Sequence, residues 1–202
     1  MRIKKETETQ RGVVIRKVIE DIPGGITLMG ASLKSDTTEI LAGAIVGEDP
    51  ANPGQYHLVK TAKLQADATS SATSYKVLKN HQFKVGDIIT TKDVANCKAY
   101  TITGIDTSNA DYDTLTVGTT LGVAMTAANG VIFIEVAAED ASGGVSVPKY
   151  TPKAMTIRDV EIQSNGSNWV AAGVRVTAKE SLLPYYVNAD LKTRLGSNFI
   201  FI

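Results

Sequence analysis

Apolar residues in this chain fall in short clusters rich in Val, Ile and Thr, separated by Gly, Asn, Asp and Pro. That punctuation belongs to β-strands joined by turns. It predicts strands at Gly12 to Glu20, Thr38 to Val46, Tyr56 to Leu64, Ser74 to Leu78 and Asp87 to Thr91. Further strands are predicted at Lys98 to Ile105, Asp113 to Val117, Gly130 to Ala137, Met155 to Ile162, Trp169 to Thr177 and Asn198 to Phe201. Turn signals separate many of them: Pro23-Gly24-Gly25, Asp49-Pro50 with Pro53-Gly54, Val85-Gly86-Asp87, Asn129-Gly130 and Asn165-Gly166.

The pattern suggests two hairpins. One joins Ala154–Ile162 to Asn168–Val176, with a bulge or bend near Asp159, where strict alternation breaks. The other joins Tyr100–Ile105 to Thr114–Val117 across the polar loop 106–113. Helix is suggested twice. Leu121 to Ala128 could form a turn or two before Asn129-Gly130 stops it. Asn188 can cap Ala189–Leu195, with acid early, bases late and Gly196 just past the end. The expected class is therefore all-β, mainly antiparallel, a small barrel or sandwich with one short C-terminal helix.

The expected organisation is a mobile N-terminal arm at residues 1–10 and a β domain at 11–140, with a softer division near 65–74. A small-residue linker follows at 141–149, then a C-terminal β segment with the helix at 150–202.

Composition narrows the function. The chain has 202 residues, 43% of them hydrophobic, enough to bury a core without disulfides or metals. Apolar runs such as Val131-Ile132-Phe133-Ile134 are too short to span a bilayer. Twenty-one basic residues balance 21 acidic ones, so no net field favours nucleic acid or an anionic membrane. The charged start is not followed by an apolar stretch and does not read as a secretory signal. The single cysteine, Cys97, is compatible with synthesis in a reducing cytoplasm.

Reactive side chains are few. His57 and His81 are the two histidines, and both read as surface or half-buried polar residues. Cys97 lacks a local thiol-enzyme signature and reads as a small residue at a strand start. Phosphate-loop, nucleophile-elbow, dinucleotide and zinc-protease motifs do not occur. The loop Asp106 to Asp113 clusters three carboxylates with Asn109, which calcium could use, although turn geometry alone explains such loops. Trp169 and the pair Tyr185-Tyr186 could offer sugar-stacking faces; Trp169 reads more readily as core or interface, and the tyrosines as pins for the C-terminal segment. No residue is assigned as catalytic, cofactor-binding or metal-ligating. The terminal run Phe199-Ile200-Phe201-Ile202 is a candidate oligomer contact, because four large apolar residues left in water would make a patch that monomers avoid.

Three segments together resemble the capsid-surface proteins of tailed phages, the head decoration and head fibre proteins. The first is Ile40–Gly47, followed after a Pro/Gly turn by Tyr56–Leu64. The second, Tyr75–Ile89, resembles the opening of a small barrel in that group. The third is Lys179–Tyr186 with the terminal helix and Phe199–Ile202. The resemblance implies a non-enzymatic virion subunit, made in the bacterial cytoplasm and carried on the capsid surface. It implies a major capsid protein lattice as partner, association as a homotrimer, and no cofactor, nucleic acid or membrane. The competing expectation is a carbohydrate- or receptor-binding β module.

Overall fold

The computed structural model describes residues 13–144, 147–163 and 166–202. The expected arm at 1–10 lies outside them, as do two residues of the expected 141–149 linker and part of the Asn165-Gly166 turn. The strands are β1 (Ile15–Asp21), β2 (Ile26–Met29), β3 (Glu39–Ile40), β4 (Ile45–Glu48), β5 (Gln55–Leu58), β6 (Thr61–Lys63), β7 (Ser74–Leu78) and β8 (Ile88–Thr91). They continue with β9 (Tyr100–Asp106), β10 (Tyr112–Val117), β11 (Ile132–Val136), β12 (Thr151–Thr156), β13 (Val160–Glu161), β14 (Ser167–Val170) and β15 (Ala172–Ala178). Helix α1 (Ala189–Leu195) and β16 (Phe199–Phe201) complete the chain. The fold is all-β and mainly antiparallel, with one short α-helix near the C-terminus. Among the described residues, no helix is long and apolar enough to cross a membrane.

The first sheet runs β1-β15-β12-β4-β5-β2-β14, with β16 added in parallel beside β15. Its end strands belong to one long ribbon: β1 pairs with β15, and their continuations β2 and β14 pair with each other. Because β2 also pairs with β5, the ladder curls back on itself. The ribbon bends at Pro23-Gly24-Gly25, where both glycines take positive φ. A side chain at Gly25 would meet Trp169 Nε1 and Val170 O at 2.7 Å, so the close approach requires glycine there.

The second sheet, β6-β11-β8-β9-β10-β7, is inserted between β5 and β12. A bridge between Leu64 and Val77 joins its two end strands and closes a small barrel. Leu64, Tyr75, Val77, Phe83, Ile89, Ile102, Leu115, Leu121 and Phe133 fill the interior, with Tyr75 packed edge-on to Phe133 at 5.4 Å.

Several expectations need correction. Residues 150–202 are no separate unit, because β12, β14, β15 and β16 complete the sheet begun by β1, β2, β4 and β5, and β13 pairs with β3 in a two-stranded sheet of its own. The division near 65–74 falls inside the closed barrel, between β6 and β7. The hairpin expected over 154–176 survives only at Met155 opposite Gly173 and Thr156 opposite Ala172. Beyond the break after Thr156, Val160-Glu161 leaves to pair with Ile40 and Glu39, while Trp169 and Val170 pair with Thr27 and Ile26. β2 was not foreseen, because Pro23-Gly24-Gly25 reads as turn and leaves only four strand residues after it. At 121–128 the chain stays largely irregular and forms a 3-10 turn only at Ala127–Asn129, since Leu121 and Met125 are drawn into the barrel core.

The second expected hairpin forms as β9 and β10. Helix α1 matches its expected bounds, with Asn188 Oδ1 accepting from Leu191 N at 3.0 Å. Phe133 lies fully buried where the barrel strands converge, so Phe133→Ala should cost about 3–5 kcal/mol in a urea melt. Asn188→Ala should cost only about 1 kcal/mol.

Candidate functional site

Two groups of buried charges and two exposed surfaces carry the chemistry of this fold. The first group sits where the chain enters and leaves the inserted barrel. Lys60, between β5 and β6, is 1% exposed, and its Nζ lies 2.6 Å from Asp87 Oδ2 and 3.4 Å from Glu135 Oε2. Lys149, on the way into β12, donates to Glu135 Oε1 at 2.8 Å. Backbone bonds run in parallel: Glu135 N donates to Lys60 O, and Lys149 N to Glu135 O. Burial pushes the Glu135 carboxyl above its ordinary value against the pull of Lys60. Burial also opposes the Lys149 charge, but the bond to Glu135 wins and its value is raised.

His57 lies beside this group, stacked on Tyr150 with ring centroids 4.1 Å apart. Its Nε2 stands 3.5 Å from Asp49 Oδ2, and burial lowers its pKa despite that carboxylate. The second group is His81 with Asp113, Lys79 and Lys34. His81 Nδ1 accepts from Phe83 N at 3.2 Å, and its Nε2 faces Asp113 Oδ2 at 3.0 Å. Asp113 also takes Lys79 at 2.6 Å and Lys34 at 3.8 Å. Burial first, and Lys34 second, push His81 down to about 4 despite Asp113. Both histidines are therefore buried, correcting their expected surface or half-buried placement, since sequence position alone did not reveal the carboxylates that receive them.

Cys97 is buried within the barrel core, with Sγ donating to Lys98 O, and burial raises its pKa. The structure does not gather the carboxylates of the 106–113 loop. Asp106 accepts from Ser108 N and Asn109 from Asp111 N, both local turns, whereas Asp113 points inward to Lys79.

The first exposed surface surrounds the C-terminal end of β15. The terminal run alternates: Phe199 is 7% exposed and packs inward, while Ile200 and Ile202 are 48% and 64% exposed. Val14 O accepts from Lys179 N, and Ile202 N donates to Ala178 O, so Val13 (63% exposed) and Ile202 flank the same few residues. The second surface is a groove of about 640 Å³ lined by Thr38, Glu39, Glu161, Gln163, Asn168 and Trp169, among others. Trp169, expected in core or interface, is 67% exposed, which rules out the core: it occupies the outward position of β14, between the buried Asn168 and Val170. Tyr185 is half-buried and Tyr186 partly exposed, with Lys63 5.5 Å from the Tyr186 ring.

The Lys60 group is not legible in the sequence, because its members lie far apart along the chain. An isolated lysine between apolar strands was the one available signal. Comparison with family models, curated proteins and solved structures gives no match.

Lys60→Ala would leave Asp87 and Glu135 buried beside each other without their shared cation, and should cost about 3–5 kcal/mol in denaturant melts. A depressed histidine pKa means that the unfolded chain takes a proton the folded chain refuses. Stability should therefore fall as pH drops from about 6.5 toward 4, at no more than about 1.4 kcal/mol per pH unit for His81. An NMR titration should find the His81 ring neutral down to about pH 5, and an inflection near 6.5 would contradict this.

Proposed function

We propose that this chain is a non-enzymatic structural subunit of a tailed-phage particle, carried on the outside of the capsid as a head decoration or head fibre protein and associating as a trimer. The observation that carries this reading is the apolar exposure around the end of β15. Val13, Ile200 and Ile202 stand in water there, although burying each would contribute on the order of 1.5–3 kcal/mol. Such a surface suits a chain that works in an assembly. The reactive side chains fit the same reading, because His57, His81 and Cys97 are each engaged in internal contacts.

The mode of contact follows from the neighbouring edge. β1 carries Arg16, Lys17, Glu20 and Asp21, and its pairing with β15 is interrupted by register shifts. Charges and bulges discourage a further strand from adding there. Side-chain packing on Val13, Ile200 and Ile202 is therefore favoured over strand addition. A second reading, the carbohydrate- or receptor-binding module, has the exposure of Trp169 in its favour.

The capsid reading is tested by fractionating particles from the source cells on a density gradient: the chain should co-migrate with assembled heads, and its absence from them would overturn the reading. For self-association, light scattering should give a trimer for the native chain and a monomer for I200S/I202S at an unchanged melting temperature. A native chain that is monomeric at every concentration would refute the trimer.

A further inference from the structure

We infer that the groove beside Trp169 is a docking site for an arginine side chain presented by a basic segment of a partner polypeptide. This inference does not rest on the capsid reading. It begins with β3 and β13, a two-residue pairing that sets Glu161 directly opposite Glu39. Like charges in directly opposed positions destabilise a β pair. Both carboxylates are exposed, both line the groove, and among the described residues neither makes an ion pair or a side-chain hydrogen bond. A cation between them would remove the repulsion and gain two charge-assisted contacts.

The aromatic wall selects the kind of cation. Trp169 Nε1 donates to Gly24 O at 2.5 Å, which holds the indole in a fixed orientation while most of it faces solvent. A fixed, exposed indole attracts a cation over its face, and a planar guanidinium both stacks on it and forks toward carboxylates. Arginine fits this combination better than lysine.

The remaining lining disfavours a neutral sugar. Asn168, the buried amide of the lining, is committed internally: its Oδ1 accepts from Gln163 N, and its Nδ2 faces the carbonyls of Leu28, Gln163 and Gly166. The strongest polar groups left in the groove are two anionic acceptors. Charge complementarity therefore points to a basic ligand.

Trp169 is the chain's single tryptophan, so fluorescence excited on the red side of tyrosine absorption reports on this site alone. The full chain is titrated with a glycine-spaced tri-arginine peptide, its tri-lysine counterpart and a neutral chito-oligosaccharide. The expected result is a saturable fluorescence change with the arginine peptide, weakened by salt, and weakened about tenfold or more in E39Q/E161Q. The lysine peptide should bind more weakly and the oligosaccharide should leave the signal unchanged. The inference is overturned by no saturable response to the arginine peptide, by an equal response in E39Q/E161Q, or by a response to the oligosaccharide alone. Both substitutions lie at exposed positions, and circular dichroism of E39Q/E161Q should match the native chain.

Discussion

The fold depends on one buried cation. Lys60 stands where the chain leaves the first sheet for the inserted barrel, and Lys149 stands where it returns. Between them lie Asp87 and Glu135, one just before and one within the barrel strands they belong to. Two lysines and two carboxylates balance in charge, so the group is neutral as a whole. Replacing a buried ionic group with apolar residues can be neutral or even stabilising, whereas removing one member strands a charge in low dielectric. The group is therefore better understood as a device that fixes how the two β units join than as a large source of stability. Strands that slid by one residue would point these side chains into apolar surroundings.

Apolar packing makes the same joint. Ile45, Met155 and Val176 of the first sheet, Ala99, Ile134 and Val136 of the barrel, and Leu191 and Leu195 of α1 form one buried cluster. Asn188 ties the helix to the barrel as well, since it caps α1 with one side-chain atom and meets Asp93 at 3.2 Å with another. Asp93 in turn accepts from Ile132 N at the start of β11. Helix, barrel and sheet thus share buried contacts, which leaves little freedom for the barrel to move independently.

Local signals in the sequence were readable, and long-range pairings were not. Strands such as Ser74–Leu78 have alternating burial and declare themselves, and the cap at Asn188 carries its own chemistry. The order in which strands pair is set by contacts over a hundred residues apart, such as Val160 with Ile40. A linker signal at 141–149 therefore looked like a domain boundary when it marks the return from an inserted barrel. The candidate site was legible to the same extent: the apolar tail was visible, but its division into inward Phe199 and outward Ile200 and Ile202 required the parallel pairing with β15.

Trp169 shows why exposure alone would have misread its role. Its Nε1 bond to Gly24 O closes the bend between the two halves of the long ribbon, and its ring edge lies where a side chain at Gly25 would sit. Removing the indole would loosen the bend as well as strip the groove, so loss of binding in such a variant could not separate anchoring from recognition. The carboxylates have no such structural task, because Glu39 and Glu161 face solvent and oppose each other across the shortest sheet. A fold stabilised only for itself would gain by replacing either one. The repulsion that remains is the physical reason to look for a cation in that groove.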